Sequence, residues 1–183
     1  LNSIVQNLSK QGTEAITISG GGEPLLYNHI LETIRLINSY SIDIGLVTNG
    51  TKLNSLKTLE RHSIEWCRIS FGDGRNIDEV EDIFEQADLL YQREIIKLYG
   101  ISYVITDEVD IQLIERVIQC VRNHAACYVK FIVDENSERA YPDYIEKIDC
   151  TKKIITPIHP CLIEELFRAW NDDRRRRRRE TWI

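Results

Sequence analysis

The stretch ITISGGGEPLL, residues 16–26, decides how the rest of the chain is understood. Ile16, Thr17 and Ile18 form a short β-rich run. Gly20, Gly21 and Gly22 follow, then Glu23, Pro24 and the apolar pair Leu25 and Leu26. The pattern predicts a strand, a tight turn whose backbone can approach another group closely, and a carboxylate at the strand's C-terminal end. Parallel α/β folds build their sites at that end. The stretch is neither GxGxxG nor GxxxxGK[ST], because no lysine follows the glycines. A glycine-rich βα turn in any α/β protein would look the same on these residues alone.

Outward from this turn the hydrophobic pattern alternates. Residues 1–10 carry Leu1, Ile4, Val5 and Leu8 at helical spacing, and residues 25–40 carry Leu26, Ile30, Ile34 and Ile37 on one face. Strands are predicted at 42–47, 66–71, 101–106 and 127–133. Helices are predicted at 53–61, at 77–98 with Gly100 as its cap, and from 107–110 to about 124. The order is one helix, four βα units and a last strand. It predicts an α/β fold with a parallel sheet and helical crossovers. A flavodoxin-like sheet has the same periodicity, and strand order is not legible in it.

Composition narrows the class. A chain of 183 residues suits one hydrophobic core, and 43% hydrophobic residues exclude disorder throughout. No stretch is long and apolar enough to span a membrane, and residues 1–12 lack the basic start and apolar centre of a signal peptide. The first residue is Leu and the chain has no Met, so a fragment, or the ordered part of a longer chain, is expected. The net charge is −6, and removing the six charges of Arg174–Arg179 leaves −12. An acidic body argues against non-specific nucleic-acid binding. The arginine run itself reads as a solvated tail or as a grip for phosphate or an acidic partner. Five cysteines at irregular spacing do not make a secreted disulfide scaffold, so a reducing cytoplasm is expected. None of them forms CxxC or CxxxCxxC.

Three segments carry a family resemblance, in the right order: Gly21-Gly22-Glu23-Pro24 after an apolar strand, Leu46-Val47-Thr48-Asn49-Gly50, and Arg68-Ile69-Ser70. They resemble the radical S-adenosylmethionine (SAM) superfamily, over roughly residues 1–133. The resemblance implies a partial parallel (β/α)6-type barrel, with the first strand and cluster loop missing before residue 1. It also implies two parts, a barrel core at 1–134 and an extension at 135–183. In that family the GGEP motif ends the second barrel strand and holds the SAM amino group.

The resemblance assigns cofactor contacts to Gly21, Gly22, Glu23 and Pro24, to Thr48 and Asn49, to Ser70, and to Asp73, Arg75 and Thr106. Each has a plainer role available. Glu23 can stabilise a helix N-terminus, Asn49 can cap its own turn, Asp73 can shape the Gly72–Gly74 turn, and Arg75 can be a surface residue. Asp73 stands three residues after Ser70 where the family places its Asp two residues on. Lys130, in an otherwise apolar strand, either snorkels to an edge or faces a barrel interior. His29, His62, His124 and His159 show no metal-ligand spacing with carboxylates. Cys67, Cys120 and Cys127 read as buried thiols.

Cys150 and Cys161 bracket an apolar run ending in Pro157-Ile158 and then His159-Pro160. This resembles a compressed auxiliary-cluster segment of the twitch or SPASM type, and implies that both are iron ligands. The implied cofactors are SAM, a [4Fe-4S] cluster with ligands upstream of residue 1, and an auxiliary Fe–S cluster. The implied function is an oxidoreductase that generates a 5′-deoxyadenosyl radical for hydrogen abstraction from a peptide or protein side chain. A flavodoxin or ferredoxin would be the electron donor. The alternatives are oxidation of a small alcohol or sugar, and a non-catalytic scaffold that binds a partner.

Overall fold

The computed structural model describes residues 1–72, 74–105 and 110–133. Asp73, Thr106, Cys150, Cys161 and the whole of 134–183 lie outside the described residues. Helix α1 is Asn2–Lys10 and strand β1 is Ala15–Ile18; α2 is Ile30–Asn38, β2 Asp43–Thr48, β3 Trp66–Gly72, α3 Asp78–Gln92, β4 Tyr99–Ile105, α4 Ile111–Asn123 and β5 Val129–Val133. Short 3₁₀ turns occupy Pro24–Leu26 and Leu53–Thr58.

The strands pair in the order β1-β2-β3-β4-β5, each parallel to the next. Right-handed crossovers between sequential neighbours put every crossover helix on one face of the sheet. A flavodoxin-like order would reverse after the first strand and cover both faces. The described chain is therefore an open parallel sheet of the partial-barrel kind, as the resemblance implied.

Strand alternation sorts the side chains. Ile44 and Leu46, Ile69 and Phe71, Ile101 and Tyr103, and Val129 and Phe131 are buried, in one core with Ile34, Phe84 and Val117 of the helices. Phe71 stacks on Phe84, centroids 6.1 Å apart. Fully burying a side chain such as Leu46 contributes roughly 1.5–3 kcal/mol. The opposite face carries Val47, Arg68, Ser70, Ser102, Tyr128 and Lys130. No described helix covers it.

Three expected boundaries change. The helix predicted at 25–40 is split, because Tyr27 is extended (φ −72°, ψ 120°) between the 3₁₀ turn and α2. The helix predicted at 77–98 stops at Gln92, where Glu94 takes φ 58° and turns the chain. Its apolar tail, Ile95 and Ile96, is buried in the core, and Ile96 bridges Ile64. Gly100 is then no helix cap but lies inside β4, where an added Cβ would stand 2.3 Å from the Tyr128 ring. Cys67 and Cys120 are buried as expected, whereas Cys127, just before β5, is exposed.

Candidate functional site

The turn after β1 and the ends of β2 and β3 meet through Glu23. Glu23 is the N-cap of the Pro24–Leu26 turn, and its Oε1 accepts the Leu25 N–H at 3.0 Å. The same oxygen accepts the Thr48 hydroxyl at 2.6 Å, and Oε2 accepts the Asn49 N–H at 2.6 Å. The helix-terminal role and the cross-link between strand ends are thus both present. A carboxylate offers about four lone-pair sites, so three donors leave one open on Oε2. Thr48 is 2% exposed, and its Oγ1 also accepts the Gly50 N–H at 3.1 Å. Asn49 caps its own turn, accepting from the Thr51 N–H at 3.0 Å and hydroxyl at 2.8 Å.

Arg75 closes the other side. Its Nη2 donates to the Asn49 carbonyl at 2.9 Å and to the Ser70 carbonyl at 3.5 Å, and the guanidinium lies 4.7 Å from the Phe71 ring centroid. Nη1 is buried with no hydrogen-bond partner among the described residues. Burial holds the Arg75 pKa below its ordinary value, against the pull of Glu79 and Glu23. One residue, Asn49, therefore gives its N–H to a carboxylate and its C=O to a guanidinium. A negative and a positive group thus hold the two successive peptide units on either side of the Asn49 Cα, each with capacity to spare.

Gly21 and Gly22 stand exposed beside Glu23. A Cβ on either would meet nothing within 4 Å, and neither has positive φ. Nothing inside the described chain requires glycine there, so the backbone is left bare towards the outside. This fits a ligand lying against it.

A second cluster, which the spacing of the histidines did not suggest, joins α3 to α4. Glu81, Cys120 and His124 form a potential metal-binding triad, with ligand atoms within 4.8 Å of one another. Cys120 Sγ donates to Glu81 Oε2 at 3.3 Å, and His124 Nε2 lies 3.3 Å from Glu81 Oε1. His124 Nδ1 lies 2.8 Å from Asp88, which also accepts from Tyr99 and from the Ala125 N–H. Arg116 pairs with Glu81. Cys120, in the last turn of α4, and His124, its C-cap, stand four residues apart, which is the signal that could have found them. These hydrogen bonds clamp the two helices together.

Of the sequence-predicted site residues, Gly21, Gly22, Glu23, Pro24, Thr48, Asn49, Ser70 and Arg75 lie at the C-terminal ends of β1–β3. Glu23 and Arg75 tie them together. Thr106, which follows the last residue of β4, lies outside the described residues, as do Asp73, Cys150 and Cys161.

No family model matches the chain. Over 56 residues, 31% of this chain and 18% of the other protein, it is 39% identical to a "Probable GTP 3′,8-cyclase" of Pyrococcus abyssi (strain GE5 / Orsay). Among solved structures it is similar to Streptococcus suis SuiB bound to S-adenosylmethionine, with 15% identity, TM-score 0.50, and coverage of 96% of this chain and 40% of that one. The structure of SuiB bound to precursor peptide SuiA gives 15% identity, TM-score 0.50, and 96% and 39% coverage. The likeness is one of fold: an open parallel sheet resembling a partial (β/α) barrel. The chain covers about two fifths of the SuiB structures it matches. No helix among the described residues is long and apolar enough to cross a membrane.

Proposed function

We propose that this chain is the SAM-binding part of a radical-SAM enzyme, and that Glu23, Asn49 and Arg75 hold the methionine end of SAM. The single observation that carries this reading is Asn49, whose N–H meets a carboxylate and whose C=O meets a guanidinium. The bare backbone at Gly21 and Gly22 and the unpartnered Arg75 Nη1 support the fit. Bound together with an iron–sulfur cluster, SAM would supply one-electron chemistry for hydrogen abstraction. The chain's own residues orient it. Glu23 takes the ammonium on its free lone pair and Arg75 takes the carboxylate. Ser70 is proposed to reach the ribose or carboxylate of SAM, and Thr106 to be a further cofactor contact.

A peptide or protein side chain is the proposed substrate, supported by the likeness to SuiB, one structure of which holds a precursor peptide. The 56-residue similarity to a probable GTP cyclase favours a second reading, a small nucleotide substrate. Cys150 and Cys161 of the extension are proposed as ligands of an auxiliary cluster. Replacing both with Ala should then lower the iron content of the reconstituted protein. Unchanged iron would demote them.

Calorimetry with two ligands tests the cofactor reading without relying on a mutant's folding. SAM should bind. 5′-Methylthioadenosine, which lacks the amino-acid end, should bind roughly ten- to a hundredfold more weakly for each charge-assisted hydrogen bond it cannot make. Equal affinities would remove Glu23 and Arg75 from the site.

A further inference from the structure

The face of the sheet opposite the helices carries two cations without acidic partners among the described residues. The register places Arg68 beside Gly100 and Ser102 beside Lys130, and Gly100 pairs in turn with the position of Tyr128. Arg68 and Lys130 thus stand diagonally across β4, two strands and two residues apart. Strands lie about 4.8 Å apart and rise about 3.3 Å per residue, so their Cα atoms are separated by roughly 11–12 Å. Long side chains from such positions can converge on one group. Gly100 sends no side chain between them, and the Tyr128 ring lies over it. Ser70 and Ser102 share a row with Lys130, two residues from Arg68 towards the strand ends.

Both cations are half-buried. Burial and the nearby Arg68 together push the Lys130 pKa down, and Arg68 acts on Tyr128 as well. Among the described residues no carboxylate forms an ion pair with either. Two like charges brought together on a partly desolvated surface repel, and an uncompensated pair is costly. Most lysines and arginines of this chain with described ion pairs sit at the rim or on the helices, where solvent screens them. These two are placed where the described residues supply no counter-ion.

We propose that Arg68 and Lys130 form an oxyanion cradle on the open face of the sheet, taking a carboxylate or phosphate group of the substrate, with Tyr128 as its wall. The inference deepens the radical-SAM reading above and rests on it for the word substrate. Arg68 lies two residues deeper along β3 than Ser70, while Lys130 is level with Ser70 and Ser102, so the cradle slants below the ends that hold Glu23 and Arg75. A substrate anchored there by its anionic group would extend upwards past Ser70 and Ser102 towards the cofactor. A neutral alcohol or sugar finds no use for the two charges, whereas an acidic peptide or a nucleotide does.

The test is NMR titration of the whole chain with inorganic phosphate and, separately, with succinate. Saturable shifts at Arg68, Ser102 and Lys130 are expected, weakened about tenfold by Arg68→Gln or Lys130→Gln and restored by Lys130→Arg. Tighter phosphate binding would point to a phosphorylated substrate, and tighter succinate binding to an acidic peptide. Non-saturable shifts, or equal affinities for wild type and the Arg68→Gln/Lys130→Gln double variant, would overturn the cradle. SAM titration of the double variant separates the two readings. SAM affinity should be unchanged in it. A SAM loss equal to that of Glu23→Gln would mean the cations serve the cofactor's own carboxylate, and the substrate cradle falls. Phosphate binding without any SAM binding would instead remove the cofactor reading and leave an anion site of another enzyme class.

Discussion

Oε2 of Glu23 accepts the backbone N–H of Asn49 at 2.6 Å, across 26 residues of sequence. That bond fixes the first turn to the end of β2, so Glu23 has a structural task before any ligand arrives. Replacing it with Gln keeps the size but turns one acceptor into a donor. Either the Asn49 N–H or the Leu25 N–H and Thr48 hydroxyl must then face an N–H₂ group. Glu23→Gln should lose about 1.5–3 kcal/mol of unfolding free energy, from the loss of hydrogen bonds to a charged acceptor. Urea denaturation of the ligand-free protein measures it, and coincident midpoints would refute the cross-link.

Thr48 tests the same joint from the other side. Its hydroxyl donates to Glu23 and accepts from Gly50 while almost fully buried. Thr48→Val leaves the shape and strands the Gly50 N–H. A loss of about 1–3 kcal/mol is expected, with Thr48→Ser recovering most of it. Equal damage from Ser and Val would assign the effect to methyl packing instead.

Two glycines on the open face are there for aromatic rings. A Cβ at Gly45 would stand 2.1 Å from the Trp66 ring, and one at Gly100 would stand 2.3 Å from Tyr128. Gly45→Ala and Gly100→Ala should each cost about 1–3 kcal/mol by overpacking. Removing the ring in Tyr128→Ala should make the second substitution nearly neutral. Thermal melts of the four variants form the test, and additive losses at 100 and 128 would break the argument.

Alkaline stability depends on the buried thiols. Burial, with Glu23 nearby, pushes the Cys67 thiol up to about 12, and burial with Glu81 does the same for Cys120. In the unfolded chain a thiol ionises near its ordinary 9.0. The folded state therefore binds more protons between these values, and stability is complete below pH 9 and falls as pH rises towards 12. Cys67→Ala should flatten this alkaline limb even while lowering stability overall. At about pH 8, just below the ordinary thiol range, iodoacetamide should label exposed Cys127 and spare Cys67 and Cys120, read by peptide mass spectrometry.

Acid behaviour has the opposite sign. Hydrogen bonds from Cys120 and His124, with Arg116 nearby, hold the Glu81 carboxyl below its ordinary value. Its contribution is present above the ordinary carboxylate range and is lost as pH falls through the lowered pKa. Glu81→Gln should make the acid limb shallower, and an unchanged limb would show that the α3–α4 clamp is carried by Asp88 instead.

The alternation of helix and strand, the parallel sheet and the polar strand ends were legible because periods of 3.6 and 2 are local properties. Strand order was not, since sequential and reversed orders share one pattern. Glu23 was legible as a candidate, but its partners were not, because Thr48 and Asn49 come to it only when β1 pairs with β2. Ile95 and Ile96 extended a helical pattern that tertiary burial beside β3 overrode. Arg75 has the sequence signature of a surface residue, yet the fold lays its guanidinium over Phe71. His124 shows the same limit, since its carboxylates come from another helix 36 and 43 residues away.

The packing of Trp66 over Gly45 gives the protein an intrinsic optical probe. The chain holds three tryptophans, Trp66, Trp170 and Trp182, of which Trp66 lies in β3. Its indole stands on the open face, two residues along the strand from Arg68. With Trp170 and Trp182 replaced by Phe, the emission that remains comes from one indole at this face. Quenching by iodide and by acrylamide, anion against neutral, then reads the local charge without any label. A face that concentrates anions will be quenched more strongly by iodide than its exposure to acrylamide predicts.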